Sequence, residues 1–237
     1  MNNVVAQVAL SNDCLSCTLR RGADFCNLPQ HSLDLFDGLG HLSVFPADVE
    51  LLVEGQSPRG VFVLCSGRAK LSMVSRDGKI LILKVASNRQ ILGLSPIVSG
   101  RPSPVTATTL EPCQVKFISQ DDFRSMLHKD STVALACAVA LSREVRTAFQ
   151  DVHDLLLARS STEKLARLLL SWIAHEPRNL DIRVATDFTH EEMAQMIGSS
   201  RETVTRLLGE MKRRELIRQE GSTLVIPNRI ALQAIAA

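Results

Sequence analysis

The sequence predicts an α+β chain: a small β-rich domain, then one long helix, then a C-terminal winged helix-turn-helix. Three observations carry this. Within residues 30–130, short β-like runs alternate with glycine turns; residues 131–159 contain neither Gly nor Pro; and residues 189–208 read as two short helices joined at Gly198.

Taken in order, residues 1–29 are short and irregular and hold half of the six cysteines. Residues 30–130 open with a helix-like stretch at 32–38 and continue with β-like runs at 61–65, 69–74, 79–85, 105–109 and 113–118. Turn signals separate them: Ser66-Gly67-Arg68, Asp77-Gly78 and Ser99-Gly100-Arg101-Pro102. Many short strands with regular glycine turns imply a sandwich or barrel. In residues 131–159, Ala134, Ala138, Leu141, Val145, Ala148, Val152 and Leu155 recur at spacings of four and three, the pattern of a helix-helix seam. The alternative is a helix packed on its own β domain. Residues 160–237 begin with an amphipathic helix whose Leu165, Leu168, Leu169 and Trp172 face inward and which Pro177 ends.

The helix pair is the most informative stretch. Thr189 can cap the first helix, whose Met193, Ala194 and Ile197 form a buried face, and Ser199 or Ser200 can cap the second, whose Val204, Leu207, Leu208 and Met211 do the same. The second helix then presents Ser200, Arg201, Glu202, Thr205 and Arg206, residue types that reach base edges in a DNA major groove. Residues 199–218 hold six basic residues against three acidic, and two short strands about Gly221 follow as a wing. The expected partner is double-stranded DNA. A seam helix ahead of such a motif implies a homodimer on a two-fold operator, because two-fold proteins read paired half-sites.

Composition bounds the rest. The 237 residues are 45% hydrophobic, enough for one or two real cores, and the net charge of +2 is too small for general polyanion binding. No run is long enough to span a membrane and the N-terminus has no signal-peptide layout, so a soluble, cytoplasmic protein with no membrane partner is expected. The six histidines are scattered, and no nucleophile-base pair, carboxylate pair or phosphate loop stands out, so an enzyme is not expected. Six cysteines do not form a secreted disulfide framework here, and in a reducing compartment their clustering points to metal or redox chemistry.

The order of β domain, long helix and winged motif resembles the CRP/FNR family of bacterial regulators. The resemblance is strongest over Gly198-Ser199-Ser200-Arg201-Glu202-Thr203-Val204-Thr205-Arg206-Leu207-Leu208, with support from Gly55, the 61–67 run and the Ile118-Ser119-Gln120-Asp121-Asp122-Phe123 strand exit. It implies a cyclic-nucleotide-binding-like β-roll that senses a signal, and a dimerisation helix that relays it. It also implies operator reading by Arg201, Glu202 and Arg206, and RNA polymerase as a partner if the protein is an activator. Cyclic-nucleotide pockets of this kind place an acidic residue soon after a glycine and an Arg-Ser pair at the phosphate. Here Gly93 is followed by Leu94-Ser95-Pro96, and Ser103-Pro104 stands at the phosphate position with Arg101 displaced, so cAMP is not the expected signal.

The N-terminal Cys14-Leu15-Ser16-Cys17 with Cys26 has C-x2-C-x8-C spacing and resembles the cysteine trio of the oxygen-sensing FNR branch. Three thiolates on a short loop can hold one face of a 4Fe–4S cluster and need a fourth ligand. By the resemblance that ligand sits on the last β-roll strand, at a position that is Lys116 here, and Cys113 is the nearest candidate. An odd offset along a strand points Cys113 to the opposite face, so Cys65, Cys137 or a carboxylate stays open. A cluster responding to oxygen, nitric oxide or redox state is the leading reading. A zinc site of the trio with His31, a thiol switch, an unrelated ligand in the β-roll, and plain cysteines in a tail are the others. Arg20 and Arg21 beside the trio would lower thiol pKa values in any functional case.

Overall fold

A computed structural model of the chain describes Cys14, Cys17 and residues 25–157, 160–173, 182–185, 188–221 and 223–236, without side chains at 151, 154–157, 184 and 185. Its contacts divide the chain into two units, Met1–Met73 with Val85–Val145, and Val74–Lys84 with Arg146–Ala237.

The first unit is built around a β-roll. Helix α1 (Gln30–Gly38) precedes strands β1 (His41–Phe45), β2 (Glu50–Leu52), β3 (Gly60–Ser66), β4 (Ala69–Val74), β5 (Ile80–Ala86) and β6 (Ile91–Leu92). A short helix α2 (Leu94–Ser99) leads to β7 (Thr106–Thr109), β8 (Cys113–Ser119) and helix α3 (Gln120–Lys129). The strands form two four-stranded sheets, ordered β1-β8-β3-β6 and β2-β7-β4-β5. Period-two alternation sorts their side chains into two cores. Leu64, Cys113 and Val115 join Leu52, Leu71, Ala107 and Leu92 between the sheets. Val61, Val63 and Ile118 point the other way and are covered by Phe25, Leu33, Phe36, Phe123 and Ile97. The register Val63↔Lys116 and Val61↔Ile118 aligns the two strands on that outer face, and a bulge between Leu64 and Ser66 leaves Cys65 without a paired partner.

Helix α4 (Ser131–Leu157) follows, with Asp130 accepting from the Thr132 and Val133 amides at its head. Its Val133, Cys137 and Ala140 enter the outer core of the β-roll. The opposite side carries an apolar stripe in solvent: Leu135 is 66% exposed, Val145 57%, Phe149 71% and Val152 52%. Of the expected seam, Ala138, Val145, Ala148 and Val152 lie in this exposed set, Ala134 is half-buried, and Leu141 packs partly on the β-roll core. The side chain of Leu155 falls outside the described residues.

The second unit contains α5 (Ser161–Trp172), β9 (Ile182–Ala185), α6 (His190–Ile197), α7 (Arg201–Arg213), β10 (Arg218–Glu220), β11 (Thr223–Ile226) and α8 (Arg229–Ala236). Its core joins Leu165, Ala166 and Leu169 of α5 to the inner faces of α6 and α7, with Ile217, Leu224 and Ile226 from the wing. Leu168 and Trp172 are partly buried against it, and the Trp172 ring stacks on Phe188 at 5.3 Å. The wing is a three-stranded antiparallel sheet, β10-β11-β9, where sequence reasoning expected two strands. Strand β9 and helix α8 were not anticipated, because both are short and neither carries a clean period. Pro177 lies outside the described residues.

Candidate nucleic-acid interface and thiol centre

The interface starts from two helix caps. The Thr189 hydroxyl accepts from the Glu192 amide while the Glu192 carboxylate accepts from the Thr189 amide, a reciprocal box that begins α6. Gly198 then takes a left-handed conformation (φ 62°, ψ 44°) that turns the chain sharply, and its amide closes onto Ala194 O. The Ser200 hydroxyl accepts from the Thr203 amide and begins α7 two residues later. Met193, Ala194 and Ile197 meet Val204, Leu207, Leu208 and Met211 in the core, which fixes the helix pair.

That packing leaves Ser200, Arg201, Glu202, Thr205 and Arg206 exposed at one end of α7. Arg206 is loosely paired with Glu210 at 3.9 Å, a contact that costs little to exchange for a base or phosphate. Glu202's own amide, the Ser200 hydroxyl and then Arg201 hold its carboxyl below the usual range, so it remains an acceptor at neutral pH. The Thr205 hydroxyl is hydrogen-bonded to His190 Nδ1 at 2.8 Å, which fixes its direction across the helix pair. Lys212, Arg213, Arg214 and Arg218 are also exposed, and Arg183 of β9 pairs with Glu220 of β10 at 2.8 Å. Together these give a rigid helix end with a planar cation, a carboxylate and an oriented hydroxyl, bordered by further cations.

A second centre lies in the first unit. The thiol of Cys65 lies within electrostatic reach of those of Cys14, Cys17 and Cys26, and Cys17 within reach of Cys26. All are free thiols. Burial pushes Cys14 up to about 12, aided by a hydrogen bond to Asp37 and opposed by Lys116. Burial likewise pushes Cys26 to about 11, with Cys65 and Cys17 adding and Arg89 opposing. Arg20 and Arg21, expected to lower the thiol values, lie outside the described residues. Among the described residues, no three His, Cys, Asp or Glu side chains stand close enough to hold one metal ion.

Lys116 lies beside this group. Its buried ammonium donates to the Asp37 carbonyl at 2.6 Å and to Asp37 Oδ1 at 3.2 Å, and stands 3.9 Å from Cys14 Sγ. A cation at the last turn of α1 also suits the negative end of the helix. Asp37 Oδ1 in turn accepts from the Cys14 amide at 2.9 Å.

Cys113 does not join the group, which corrects its expected role as fourth ligand. It lies in the core between the sheets, where its thiol donates to Glu111 O at 3.1 Å and Arg68 O at 3.3 Å. A Cβ added at Gly67 would sit 2.6 Å from its sulfur, so no room exists there for a cofactor. Cys137 is buried in α4, its thiol pushed up by burial and then by Glu144. His31, considered for zinc, instead lies at the head of α4, 3.0 Å from Ser32 Oγ and 3.8 Å from Asp130 Oδ2.

Comparisons with known proteins agree with this architecture. Residues 42–130 match the family model described as a cyclic nucleotide-binding domain, and residues 163–235 match the one described as a Crp-like helix-turn-helix domain. The chain is 26% identical over 183 residues to a CRP-like cAMP-activated global transcriptional regulator of Mycobacterium tuberculosis, covering 77% of this chain and 82% of that protein. It is 25% identical over 202 residues to the cAMP-activated global transcriptional regulator CRP of Pasteurella multocida, covering 82% and 94%. Among solved structures, FixK2 from Bradyrhizobium japonicum superposes with a TM-score of 0.73 at 19% identity, over 84% of this chain and 98% of that one, a likeness of fold.

Proposed function

Because the chain belongs to the CRP/FNR family of transcription regulators, we propose that it acts as a homodimer on a two-fold DNA operator, under the control of an iron–sulfur cluster held by its N-terminal cysteines. DNA recognition rests on one observation: Arg201, Glu202, Thr205 and Arg206 are exposed together on a helix whose other face is locked into a core. Arg201 and Arg206 suit guanine, Glu202 a cytosine amino group, and Thr205 a thymine methyl or a phosphate. The basic residues after α7 would set register on the backbone. The exposed stripe of α4 supports the homodimer, and an activator would also meet RNA polymerase.

The signal reading rests on the gathering of the cysteine thiols. Four thiols match the ligand number of such a cluster, and Lys116 and Arg89 supply cations next to what would be an anionic site. A 4Fe–4S cluster supplies a group sensitive to oxygen and nitric oxide. This chain's residues do the rest: Asp37 anchors the Cys14 amide, Lys116 offsets thiolate charge, and Phe25 and Phe36 wall the adjoining core. Cys14 packs against the same core that Val133, Cys137 and Ala140 of α4 enter, so ordering of the thiol segment can bias the dimer helix.

The relatives' names point to cAMP, yet here Gly93 precedes a buried Leu94 where a ribose-binding carboxylate would be needed. The Ser103 hydroxyl is engaged with Val105 O at 2.7 Å. The test is purification without oxygen, assay of iron, sulfide and zinc, and selection of DNA by the protein from a randomised duplex library before and after exposure to air. Iron and sulfide, a two-fold consensus and its loss in air support the proposal. A zinc protein, or one whose selected consensus needs cAMP and ignores air, would overturn the signal reading and leave the DNA-binding half standing.

A further inference from the structure

We propose that Cys65 of β3 supplies the fourth thiolate of the iron–sulfur site formed with Cys14, Cys17 and Cys26, and that Lys116 on the neighbouring strand is its built-in counter-cation. The inference rests on the cluster reading above and names the ligand that reading lacks.

Strand geometry carries it. Val61 and Val63 of β3, and Ile118 of β8, point to the outer face of the sheet, where Phe25, Leu28 and Cys14 pack. Cys65 follows Val63 at the bulge, against the Lys116 backbone and within electrostatic reach of Cys17, whereas Leu64 and Cys113 face the other core. The register pairs Lys116 with Val63, two residues from Cys65, so both side chains reach the same patch from adjacent strands. The bulge at Cys65 frees its backbone from regular pairing, and bulges re-aim side chains at sites. Cys14 reports the same patch from the other side, its sulfur 3.9 Å from Lys116 Nζ.

The chemistry agrees. Each of four thiols must give its proton to solvent as an Fe–S bond forms, and the product is anionic. A buried ammonium already held by Asp37 opposes that charge without any rearrangement of the sheet. A lysine next to a strand-borne cysteine thus divides between two strands the roles of ligand and charge balance.

The test compares full-length wild type with Cys65→Ser, Cys113→Ser, Cys137→Ser and Cys14→Ser, all purified or reconstituted without oxygen. Iron, acid-labile sulfide and visible absorbance per chain are read, and folding is checked by circular dichroism. Loss of iron and sulfide in Cys65→Ser to the level of Cys14→Ser, with Cys113→Ser and Cys137→Ser like wild type, is expected. A Cys65→Ser protein that keeps its cluster overturns the assignment while leaving the cluster reading intact; a wild type without iron and sulfide overturns both. Should Cys65→Ser fail to fold, alkylation decides, with label at each cysteine of metal-free and iron-loaded wild type read by mass spectrometry. Protection on loading at Cys14, Cys17, Cys26 and Cys65 together supports the proposal, and protection of the trio without Cys65 overturns it.

Discussion

Lys116 Nζ lies 3.9 Å from Cys14 Sγ while it holds the Asp37 carbonyl at 2.6 Å, so one buried ammonium joins the N-terminal thiol segment to the last turn of α1. Lys116→Met should therefore destabilise the first unit by about 2 kcal/mol, below the range of about 3–5 kcal/mol for breaking a fully buried pair because Asp37 retains some solvent. Urea unfolding followed by circular dichroism measures it, and an unchanged midpoint would refute the coupling.

The same pair sets an acid dependence. Burial pushes the Asp37 carboxyl up, but hydrogen bonds from the Cys14 amide and thiol and from Lys116 outweigh it and hold the group at about 2, against an ordinary 3.8. A depressed folded value means stability that is complete above the unfolded value and is lost as pH falls from about 4 toward 2. Unfolding midpoints measured across that window should decline in wild type and decline less in Asp37→Asn.

Alkylation of the metal-free protein at pH 8 should be slow at Cys26. With its value near 11 rather than 9.0, its thiolate fraction falls by roughly a hundredfold, and reaction follows thiolate. Iodoacetamide labelling read by mass spectrometry, native against urea-unfolded, checks this; equal rates would show that Cys26 is not buried as described.

Arg201→Ala and Arg206→Ala should each weaken binding to the duplex selected by wild type by about 1–3 kcal/mol, roughly 5- to 150-fold, and relax base preference at one position per half-site. Lys212→Ala should instead lower affinity evenly across sequences and flatten the salt dependence. Titration by fluorescence anisotropy at two salt concentrations separates the cases. Loss of preference in Lys212→Ala, or none in Arg201→Ala, would move the reading surface elsewhere.

Phe149, 71% exposed on α4, should matter only in the dimer. Phe149→Glu places a charge in the stripe, and sedimentation should then report a monomer with unchanged circular dichroism. A variant that stays dimeric would assign the contact to another face.

How legible these features are in the sequence depends on which physical constraint fixes each. The helix pair was legible because its caps, glycine turn and buried period are all local: Thr189, Gly198 and Ser200 act within four residues of themselves. The five strands at 61–118 were legible from alternation between glycine turns, whereas β1, β2 and β6 are short or lack that alternation. The expected seam of α4 includes Val145 and Val152 of the exposed apolar stripe. Leu135, Val139 and Phe149 were passed over because spacing alone does not say which apolar face the β-roll covers. The thiol centre divides in the same way. The trio is a motif, and the odd offset of Cys113 already argued against it, but Cys65 lies 39 residues beyond Cys26 and comes within its electrostatic reach only in the folded domain. Nor could sequence show Asp37 beneath Cys14, or His190 holding Thr205 at 2.8 Å.

The bond from the Cys14 amide to Asp37 uses main chain and carboxylate, and no sulfur takes part in it. An event confined to the sulfurs therefore leaves the segment leashed to the domain. A leashed thiol remains near its partners at an effective concentration on the order of millimolar, so rebuilding the site is an intramolecular step and not a new encounter. On the proposed cluster reading, such a centre would be suited to repeated use: it would be emptied and refilled in the same molecule, without synthesis of another chain.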